Sequence, residues 1–453
     1  MARFPNILLI LVDDMGVHQV GCYGNAFYET PAIDRLAAAG VRLTDAYCAS
    51  PVCSPARAAL YTGQHPARLH LTNYIPGTEP TNPVLLTPSW SKGLPVETPS
   101  IAKWLKAAGY ATGHFGKWHL APDYHYEPGR LMDPESQGFD TVVFTRKPLI
   151  SADPEADPHH IERLTDAAIR FIDTPRTESF FCVVAHNALH RPEMAPEALV
   201  RKYARKAGAD EDANRPVIAA MTEQVDRSVG RLMACLSATG RNQDTLVVFV
   251  SDHGAFGRSQ VRKPYRGAKA DLYEAGIRVP WIFHWPSRFQ PKVCAGPVFG
   301  TDLVPTLLEC CSLSVPSGLD GVSLYETLAR PTRVAPCRDE LSWHFPHYHH
   351  LGLAPCGAIR AGRWKVIEWY EGTIGGIAPG PAVELFDLET DPFEHCDLAS
   401  AHPEIAADLL SRLRAWRGRI GAQEMIRNPA YDSHESARTA PPPPGDAGNP
   451  FGE

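Results

Sequence analysis

The 453-residue sequence lacks the features that mark nucleic-acid-binding and membrane proteins. Its 44 lysines and arginines are outnumbered by 51 aspartates and glutamates, which gives a formal net charge of −7. Because the sequence also contains no long basic run, it offers no cluster of positive charge for binding a phosphate backbone. The apolar run Asn6–Val12 is too short to span a bilayer. We therefore expect neither nucleic acid nor membrane as a partner.

The same run lacks the signs of a secretory signal. Asp13 and Asp14 follow Asn6–Val12 directly, and no small-residue cleavage site is present. This order favours a buried strand whose end carries functional carboxylates. We therefore expect no targeting segment and a cytoplasmic location. A trimmed secreted or periplasmic form would have the same sequence, and that alternative stays open.

Clustered cysteines are also absent. The 11 cysteines are odd in number and form no C-x-x-C pair, so neither a zinc cluster nor a complete disulfide framework is indicated. Most of them are expected to be small buried side chains. The content of 44% hydrophobic and 21% charged residues is that of a folded globular chain, and its length allows a large core.

Apolar runs alternate with helical patterns along most of the chain, which predicts an α/β fold with a large, mostly parallel central sheet flanked by helices. The predicted strands are Ile7–Val12, Val41–Tyr47, Tyr110–Phe115, Phe180–Ala185, Leu246–Val250 and Val279–Phe283. The predicted helices lie between Thr30 and Gly40, over Pro99–Ala108 and over Ile218–Thr239.

The pattern changes beyond residue 324. Short strands are predicted over Ala358–Arg360, Trp364–Trp369 and Val383–Leu388, and a helix over Pro403–Ile420. The chain is thus divided into an N-terminal domain over 1–324, a smaller α+β subdomain over 325–427 and a Pro-rich extended tail over 428–453. The subdomain is expected to hold a small antiparallel sheet and one helix.

Reactive side chains follow two predicted strands. Asp13 and Asp14 follow the first, and Asp252 and His253 follow Leu246–Val250. Because sites in open α/β sheets form outside the carboxyl ends of the strands, these groups could converge on a hard divalent cation. The alternative is that such aspartates only cap the next helix, and a short acidic doublet does not decide between the two.

A third candidate is Cys53, which precedes a helical segment and could be a nucleophile or a structural residue. The pattern Cys-x-Pro-x-Arg over Cys53–Arg57 resembles the maturation motif of the sulfatase family, as does the whole stretch Ser50–Gly63. Further segments are similar to the family in the same order: Asn6–Gly16, Gly113–Leu120, His190–Pro192, Ser251–Gly254, Tyr265–Lys269 and Glu274–Pro280. Several spaced motifs are far more specific than one.

The resemblance implies an alkaline-phosphatase-like α/β sandwich and the oxidation of Cys53 to formylglycine by a maturation enzyme. The hydrated aldehyde is a geminal diol: one hydroxyl attacks sulfur, and the other later loses its proton so that sulfate is expelled. The bound metal would withdraw charge from the attacking oxygen and a sulfate oxygen.

The resemblance also assigns roles to individual residues. It implies that the metal is held by Asp13, Asp14, Asp252 and His253 beside the modified Cys53. It makes Arg57 the group that holds the diol, Lys117 and Lys269 the sulfate contacts, His119 the base and His190 the acid. Many members have Asn where this chain has His253; calcium remains the expected ion, with magnesium or manganese as alternatives.

Substrate identity is sought outside the sulfate pocket. The segment Trp343–His350 is rich in imidazoles and aromatic rings and is similar to bacterial carbohydrate sulfatases, which favours a sulfated saccharide over a simple aryl sulfate. His344, His347 and Arg360 are the predicted sugar contacts. The alternative is that this segment is a packed loop between domains.

Two other functions stay open at this stage. The same scaffold hydrolyses phosphate or phosphonate esters in sister families. If Cys53 remains a thiol, the chain would be a binder of sulfate esters without catalytic activity. Oligomeric state is not indicated by the sequence.

Overall fold

The computed structural model describes residues 4–256, 264–333, 338–351, 354–377 and 380–433. The strands of this part of the chain are β1 Asn6–Val12, β2 Val41–Leu43, β3 Ala46–Tyr47, β4 Leu85–Leu86, β5 Ala111–Gly116, β6 Thr141–Phe144, β7 Phe180–Ala185, β8 Thr245–Ser251, β9 Trp281–His284, β10 Lys292–Cys294, β11 Val298–Phe299, β12 Glu340–Phe345, β13 Cys356–Ala361, β14 Trp364–Trp369, β15 Val383–Asp387 and β16 Ile426–Arg427. The α-helices are α1 Pro31–Ala38, α2 Cys53–Thr62, α3 Pro66–Leu69, α4 Ile101–Ala107, α5 Ile161–Asp173, α6 Glu197–Ala204, α7 Pro216–Ala238, α8 Glu274–Ile277, α9 Leu303–Cys310, α10 Tyr325–Ala329, α11 Tyr370–Thr373 and α12 Pro403–Ile420.

Eight strands form the central sheet in the order β10-β2-β9-β8-β1-β7-β5-β6. Strands β8, β1, β7, β5 and β6 run parallel to one another, whereas β9 runs antiparallel to both β8 and β2. The mostly parallel sheet predicted from the sequence is confirmed. The antiparallel direction of β9 could not be read from an apolar run alone, because such a run carries no signal of direction.

The central strands are apolar along their whole length because both faces of the sheet are covered. In β1 the side chains of Ile7, Leu9 and Leu11 enter one core cluster with α2, α4 and α9. The alternate side chains Leu8 and Ile10 enter a second cluster with α1, α5 and α7. Alternation of side chains along a strand thus gives one core on each side of the sheet.

A second sheet packs beside the first core. It is antiparallel, in the order β12-β13-β14-β15, and α12 covers it. A buried salt bridge of 3.0 Å between Lys365 Nζ on β14 and Glu274 Oε1 on α8 ties this sheet to the larger part of the chain. The small C-terminal antiparallel sheet with its helix is therefore as predicted.

Several predicted boundaries match and one predicted strand does not. Phe180–Ala185, Trp364–Trp369 and Pro403–Ile420 have the predicted limits. The predicted strand Val41–Tyr47 is instead two strands, β2 and β3, which pair in different sheets. The break lies at Thr44 and Asp45, whose side chains bond to the Cys294 carbonyl and to Arg278.

The predicted Pro-rich tail is described only to residue 433, and Pro441–Pro444 lie outside the described residues. Among the described helices, none combines the length and the apolar character needed to cross a membrane. The cysteines of the described part of the chain are all free thiols.

Candidate active site

Four adjacent parallel strands deliver polar residues to one edge of the central sheet. Val12 of β1 pairs with Ser251 of β8, so the carboxylates that follow these two strands start side by side. Gly116 of β5 pairs with Ala185 of β7, which brings the residues after those strands to the same edge. The expected convergence at the carboxyl ends is therefore present.

Cys53 lies at the centre of this edge as the first residue of α2, and its side chain is fully buried. Its Sγ is 3.5 Å from Asp13 Oδ1, 3.1 Å from His253 Nε2 and 3.7 Å from Lys269 Nζ. Residues from three separate motifs of the sequence thus meet at position 53.

The donor set around Cys53 suits a divalent cation. One ligand atom each from Asp13, Cys53, Asp252 and His253 lie within 4.8 Å of one another, and Asp13, Asp14 and Cys53 belong to a second such group with His190. His253 Nδ1 lies 3.0 Å from the Gly254 carbonyl. Since a carbonyl only accepts, Nδ1 carries a proton, and Nε2 faces the carboxylates, 3.1 Å from Asp14 Oδ1. A backbone carbonyl that fixes the tautomer is a common second partner of a metal-binding histidine.

The electrostatics of these groups also favour a cation. Burial, opposed by Lys269 and reinforced by Asp13, raises the pKa of Asp14 to about 7. Burial alone would lower the pKa of His253, but the charges of Asp252, Cys53 and Asp14 raise it to about 10. Burial therefore disfavours the charge of Asp14, while at His253 the nearby negative charges favour a proton on Nε2 as well as on Nδ1. A cation at this point would meet the same negative charges in place of that proton.

Three basic side chains surround the same point. Arg57 Nε lies 2.8 Å from Asp252 Oδ2, and its Nη1 donates to the Lys117 carbonyl at 2.9 Å. Lys117 Nζ lies 2.6 Å from Asp13 Oδ2, and Lys269 Nζ lies 3.2 Å from Asp14 Oδ1. Burial opposes the charge of Arg57, but Asp252 and Asp13 raise its pKa further above its ordinary value. These cations alternate with the carboxylates, an arrangement suited to an anion bound against them.

Two histidines complete the edge. His119 Nε2 donates to the Ile75 carbonyl at 2.7 Å, and its Nδ1 is buried without a hydrogen-bond partner among the described residues. His190 Nδ1 donates to the Arg191 carbonyl at 2.9 Å, and its Nε2 accepts from Lys269 Nζ at 3.1 Å. Burial, aided by nearby lysines, lowers the pKa of both imidazoles well below the usual value. Both rings are therefore neutral near pH 7.

Two glycines allow the close backbone approach behind these residues. A Cβ at Gly254 would lie 1.9 Å from the Ala275 carbonyl oxygen, and a Cβ at Gly116, whose φ is +119°, would lie 1.9 Å from that of Ala185. Such distances exclude any side chain. The glycines of both motifs thus fix the chain next to His253 and Lys117.

The edge of the sheet that carries Asp13, Cys53, Lys117, His190 and Asp252 is called the catalytic edge below. A cavity of about 650 Å³ opens beside it. Lys117, His119 and His190 line one wall, and most of the other lining residues belong to the segment 121–160. The sequence does not mark this segment as part of a site, because it contains no recognisable motif. The only available signal was its position directly after the motif Gly113–Leu120.

The structure does not bring His344, His347 and Arg360 to this cavity. His344 is buried in β12, with Nδ1 2.7 Å from the Tyr370 hydroxyl, and His347 Nε2 lies 2.7 Å from the Thr72 hydroxyl. Arg360 Nη1 donates to the Tyr47 hydroxyl at 2.6 Å. These buried contacts are those expected if the segment is a packed loop between domains. A role of the three residues in sugar binding stays a prediction.

A substitution at His347 distinguishes sugar binding from a purely structural role of this segment. His347→Ala removes a fully buried ring and leaves the Thr72 hydroxyl without its partner, so we expect a loss of about 1–3 kcal/mol of stability. We expect kcat/KM to change equally for a small aryl sulfate and a sulfated saccharide. Thermal unfolding and paired kinetics measure both effects, and a loss confined to the saccharide would support direct sugar binding instead.

The comparisons with known proteins agree with this geometry. The sequence profile described as Sulfatase matches residues 5–313, and one described as N-sulphoglucosamine sulphohydrolase, C-terminal, matches residues 268–418. Arylsulfatase A of Homo sapiens is 29% identical over 93% of this chain and 89% of its own length. An N-acetylgalactosamine-6-O-sulfatase of Bacteroides thetaiotaomicron is 26% identical over 92% of this chain and 93% of its own.

A solved structure extends this similarity to the fold. The crystal structure of Ps i-CgsB in complex with k-i-k-neocarrahexaose is 26% identical, with a TM-score of 0.73 over 92% of this chain and 93% of that one. The family predicted from the segment around Cys53 is thereby confirmed. The chain belongs to the sulfatase family, has its alkaline-phosphatase-like fold and is a sulfuric ester hydrolase.

Proposed function

We propose that this chain hydrolyses sulfate esters of saccharides by means of a formylglycine made from Cys53 and a divalent cation, with calcium as the expected ion. One observation carries the proposal: position 53 lies within contact distance of Asp13, His253 and Lys269 together. Such a position joins a candidate nucleophile to groups for a metal and to a cation for an anion.

Burial of Cys53 bears on how it would be modified. Its side chain has no solvent exposure in the folded chain, so an enzyme that oxidises it needs the chain before this edge closes. The maturation enzyme is therefore proposed to act on the unfolded or nascent chain. The motif that such an enzyme would read, Cys53–Arg57, is a continuous segment and is present without any tertiary structure.

The carboxylates and the imidazole would hold the cation. Asp13, Asp14, Asp252 and His253 supply oxygen and nitrogen donors, of which oxygen is preferred by calcium and magnesium. The formylglycine made from Cys53 would supply a hydrated aldehyde as nucleophile, and the bound cation would supply a Lewis acid beside it. Arg57 would orient the side chain at position 53, because it is itself fixed by Asp252 and the Lys117 carbonyl.

The lysines would bind the sulfate group. Lys269 Nζ lies 3.7 Å from Cys53 Sγ. Lys117 bonds to Asp13, whose other oxygen contacts the same sulfur, so a carboxylate holds each lysine in place. Charge-assisted hydrogen bonds to the sulfate oxygens would then form without a large movement of either side chain. A fixed pair of cations stabilises the charge that develops as the ester bond breaks.

The histidines would move protons at defined atoms. Because His119 donates from Nε2 to Ile75, its Nδ1 is the free base. His190 accepts from Lys269 at Nε2, so the acid at the leaving oxygen is the His190–Lys269 pair, in which the proton starts on the lysine. Removal of either histidine should lower kcat, since general acid–base catalysis contributes typically 10²–10⁴-fold.

A saccharide is proposed because of the relatives and the cavity. One relative is an N-acetylgalactosamine-6-O-sulfatase, and one similar structure holds a neocarrahexaose. The cavity of about 650 Å³ is in the range of small-molecule sites and accommodates a sugar ring.

A release assay combined with peptide mass tests the proposed function. The chain is produced together with a maturation enzyme, and inorganic sulfate and phosphate are measured from matched 4-nitrophenyl esters and from a panel of sulfated saccharides. We expect a peptide mass of an aldehyde at position 53 and a kcat/KM for sulfate at least about 10²-fold above that for phosphate. The peptide from protein made without the maturation enzyme is the control.

Other outcomes identify the alternatives. Faster phosphate release would make the chain a phosphate or phosphonate ester hydrolase. Binding of sulfated saccharides without turnover, with an unmodified thiol at position 53, would make it a binder.

A further inference from the structure

A cluster of charged side chains is buried where the C-terminal sheet packs against the larger part of the chain. Lys365 Nζ on β14 lies 3.0 Å from Glu274 Oε1 and 2.8 Å from Glu394 Oε1. None of the three side chains has any solvent exposure. Because the desolvation of buried ions offsets most of their mutual attraction, stability alone does not explain such a cluster.

Glu394 joins this cluster to the backbone of α8. Its Oε2 accepts from the backbone N–H of Glu274, the first residue of α8, at 2.6 Å, and the two residues are 120 positions apart in the sequence. The first N–H groups of a helix have no partner within the helix, so a buried one needs an acceptor from another segment. Glu394 supplies that acceptor, and the position of α8 therefore depends on it.

Helix α8 in turn fixes the residue that follows a proposed metal ligand. The Gly276 carbonyl on α8 accepts from the Gly254 N–H at 3.0 Å. The two segments lie so close that a Cβ at Gly254 would be 1.9 Å from the Ala275 carbonyl oxygen. The Gly254 carbonyl accepts from His253 Nδ1 at 3.0 Å. A displacement of α8 would therefore turn the imidazole of His253 relative to the carboxylates that it faces.

We propose that Glu394 is a positioning residue for the metal site, because it holds α8 against Gly254 and thereby keeps the His253 ring directed at the cation. The inference rests on the proposed function, since it concerns the cation of the same site. Among the described residues, Glu394 forms no hydrogen bond or ion pair with a proposed metal ligand, so its effect passes through α8. Groups that orient a metal ligand typically contribute about 10- to 100-fold to metal affinity.

This role requires an acceptor at position 394 rather than a charge. Burial, opposed by Lys365 and reinforced by Glu274, raises the pKa of Glu394 to about 7. Near neutral pH the side chain is therefore uncharged in part of the molecules, while Lys365 keeps Glu274 as its partner. An amide at position 394 should hold α8 nearly as well as the carboxylate does, whereas an apolar side chain should not.

Metal affinity measured on metal-free protein tests this role. The full chain, produced with the maturation enzyme, is stripped of metal, and Kd values for calcium, magnesium and manganese are measured by competition with a fluorescent chelator. For the ion that the wild type binds most tightly, Glu394→Met removes the acceptor at similar length and should raise the Kd at least about tenfold. Glu394→Gln keeps the acceptor, and its Kd should stay within about threefold of the wild-type value.

Glu368→Met is the matched control. Glu368 is also a buried glutamate on β14, but it pairs with Arg414 and Arg417 of α12. This variant should lose stability, yet keep the wild-type Kd. Thermal unfolding and far-UV circular dichroism of the metal-free proteins show whether each variant is folded.

A shorter carboxylate replaces the methionine if Glu394→Met does not fold. Glu394→Asp keeps the charge but is one methylene shorter, so it should raise the Kd at least about threefold while Glu394→Gln does not. This comparison separates the reach of the acceptor from its charge.

Failure of the inference is distinct from failure of the proposed function. An unchanged Kd in folded Glu394→Met, or in the Glu394→Asp that replaces it, would overturn the positioning role alone. An equal loss of affinity in Glu394→Gln or in Glu368→Met would do the same. If the wild type binds none of the three ions, the metal of the proposed function is wrong, and the inference is wrong with it.

Discussion

Exhaustive chelation of divalent ions is expected to reduce sulfate ester hydrolysis to background and to lower the melting temperature. Asp13, Asp14 and Asp252 converge with His253 around position 53, and burial, opposed by Lys269 and reinforced by Asp13, raises the pKa of Asp14 to about 7. A bound ion at a hundredfold excess over its Kd would contribute about 2.7 kcal/mol to the folded state. Activity and thermal unfolding before and after chelation, and after addition of calcium, magnesium or manganese, measure both effects.

Asp252→Ala should reproduce the loss without a chelator. The substitution removes one donor and the partner of Arg57 Nε, so we expect kcat/KM to fall by at least about 10³-fold. The melting temperature should no longer respond to added metal.

Asp302→Asn is the matched control, because Asp302 is also a fully buried carboxylate paired with an arginine, Arg338, at 2.6 Å. That variant should lose stability but keep metal-dependent activity and a metal-dependent melting temperature. An unchanged rate and melting temperature after complete removal of metal from the wild type would contradict the metal assignment.

Much of the fold could be predicted because its strands are buried on both faces. Continuous apolar runs such as Phe180–Ala185 have no polar positions that would blur their limits. The helix Pro403–Ile420 could be predicted because Pro403 stands in its first turn and Gly421, with a φ of +73°, follows its last residue. Local chemistry fixes these elements, so a single sequence is enough.

The residues of the catalytic edge could be predicted for a different reason. Each follows a strand, and parallel strands present their carboxyl ends at one edge, so Asp13 and Asp252 were expected together. The sequence could not indicate that β8 and β1 are direct neighbours, since strand order depends on tertiary packing. In the structure Val12 pairs with Ser251, and this register places the residues that follow the two strands side by side.

The surroundings of the substrate could not be predicted in this way. The composition around His344 and His347 predicts sugar contacts, yet burial and hydrogen-bond partners are tertiary properties that composition does not contain. Lys147 and Tyr124 belong to a segment with no periodic pattern or motif. Their place near the catalytic histidines depends on how the segment 121–160 folds back over the edge of the sheet.

Loss of the nucleophile is expected to have the largest effect of any single substitution. Cys53→Ala removes the side chain at which Asp13, His253 and Lys269 meet, and it should reduce hydrolysis to background while the substrate still binds. Sulfate release from a preparation free of wild-type enzyme measures it. Because the alanine side chain fills most of the same space, the fold should persist, and thermal unfolding is the check.

Cys53→Ser is the sharper test of the chemistry. The serine oxygen can attack sulfur and release the alcohol, which leaves sulfate bonded to that oxygen. A serine has no second hydroxyl whose deprotonation could expel the sulfate, so the variant should stop after at most one turnover as a covalent sulfate ester. The peptide that contains position 53, weighed after incubation with substrate, should carry the added mass of one sulfate group.

Cys48→Ser is the matched control, since its hydroxyl replaces a buried thiol near the Gly276 carbonyl, and it should turn over repeatedly. Sustained turnover by the position-53 variant would show that one hydroxyl is enough, and the diol mechanism would then be wrong.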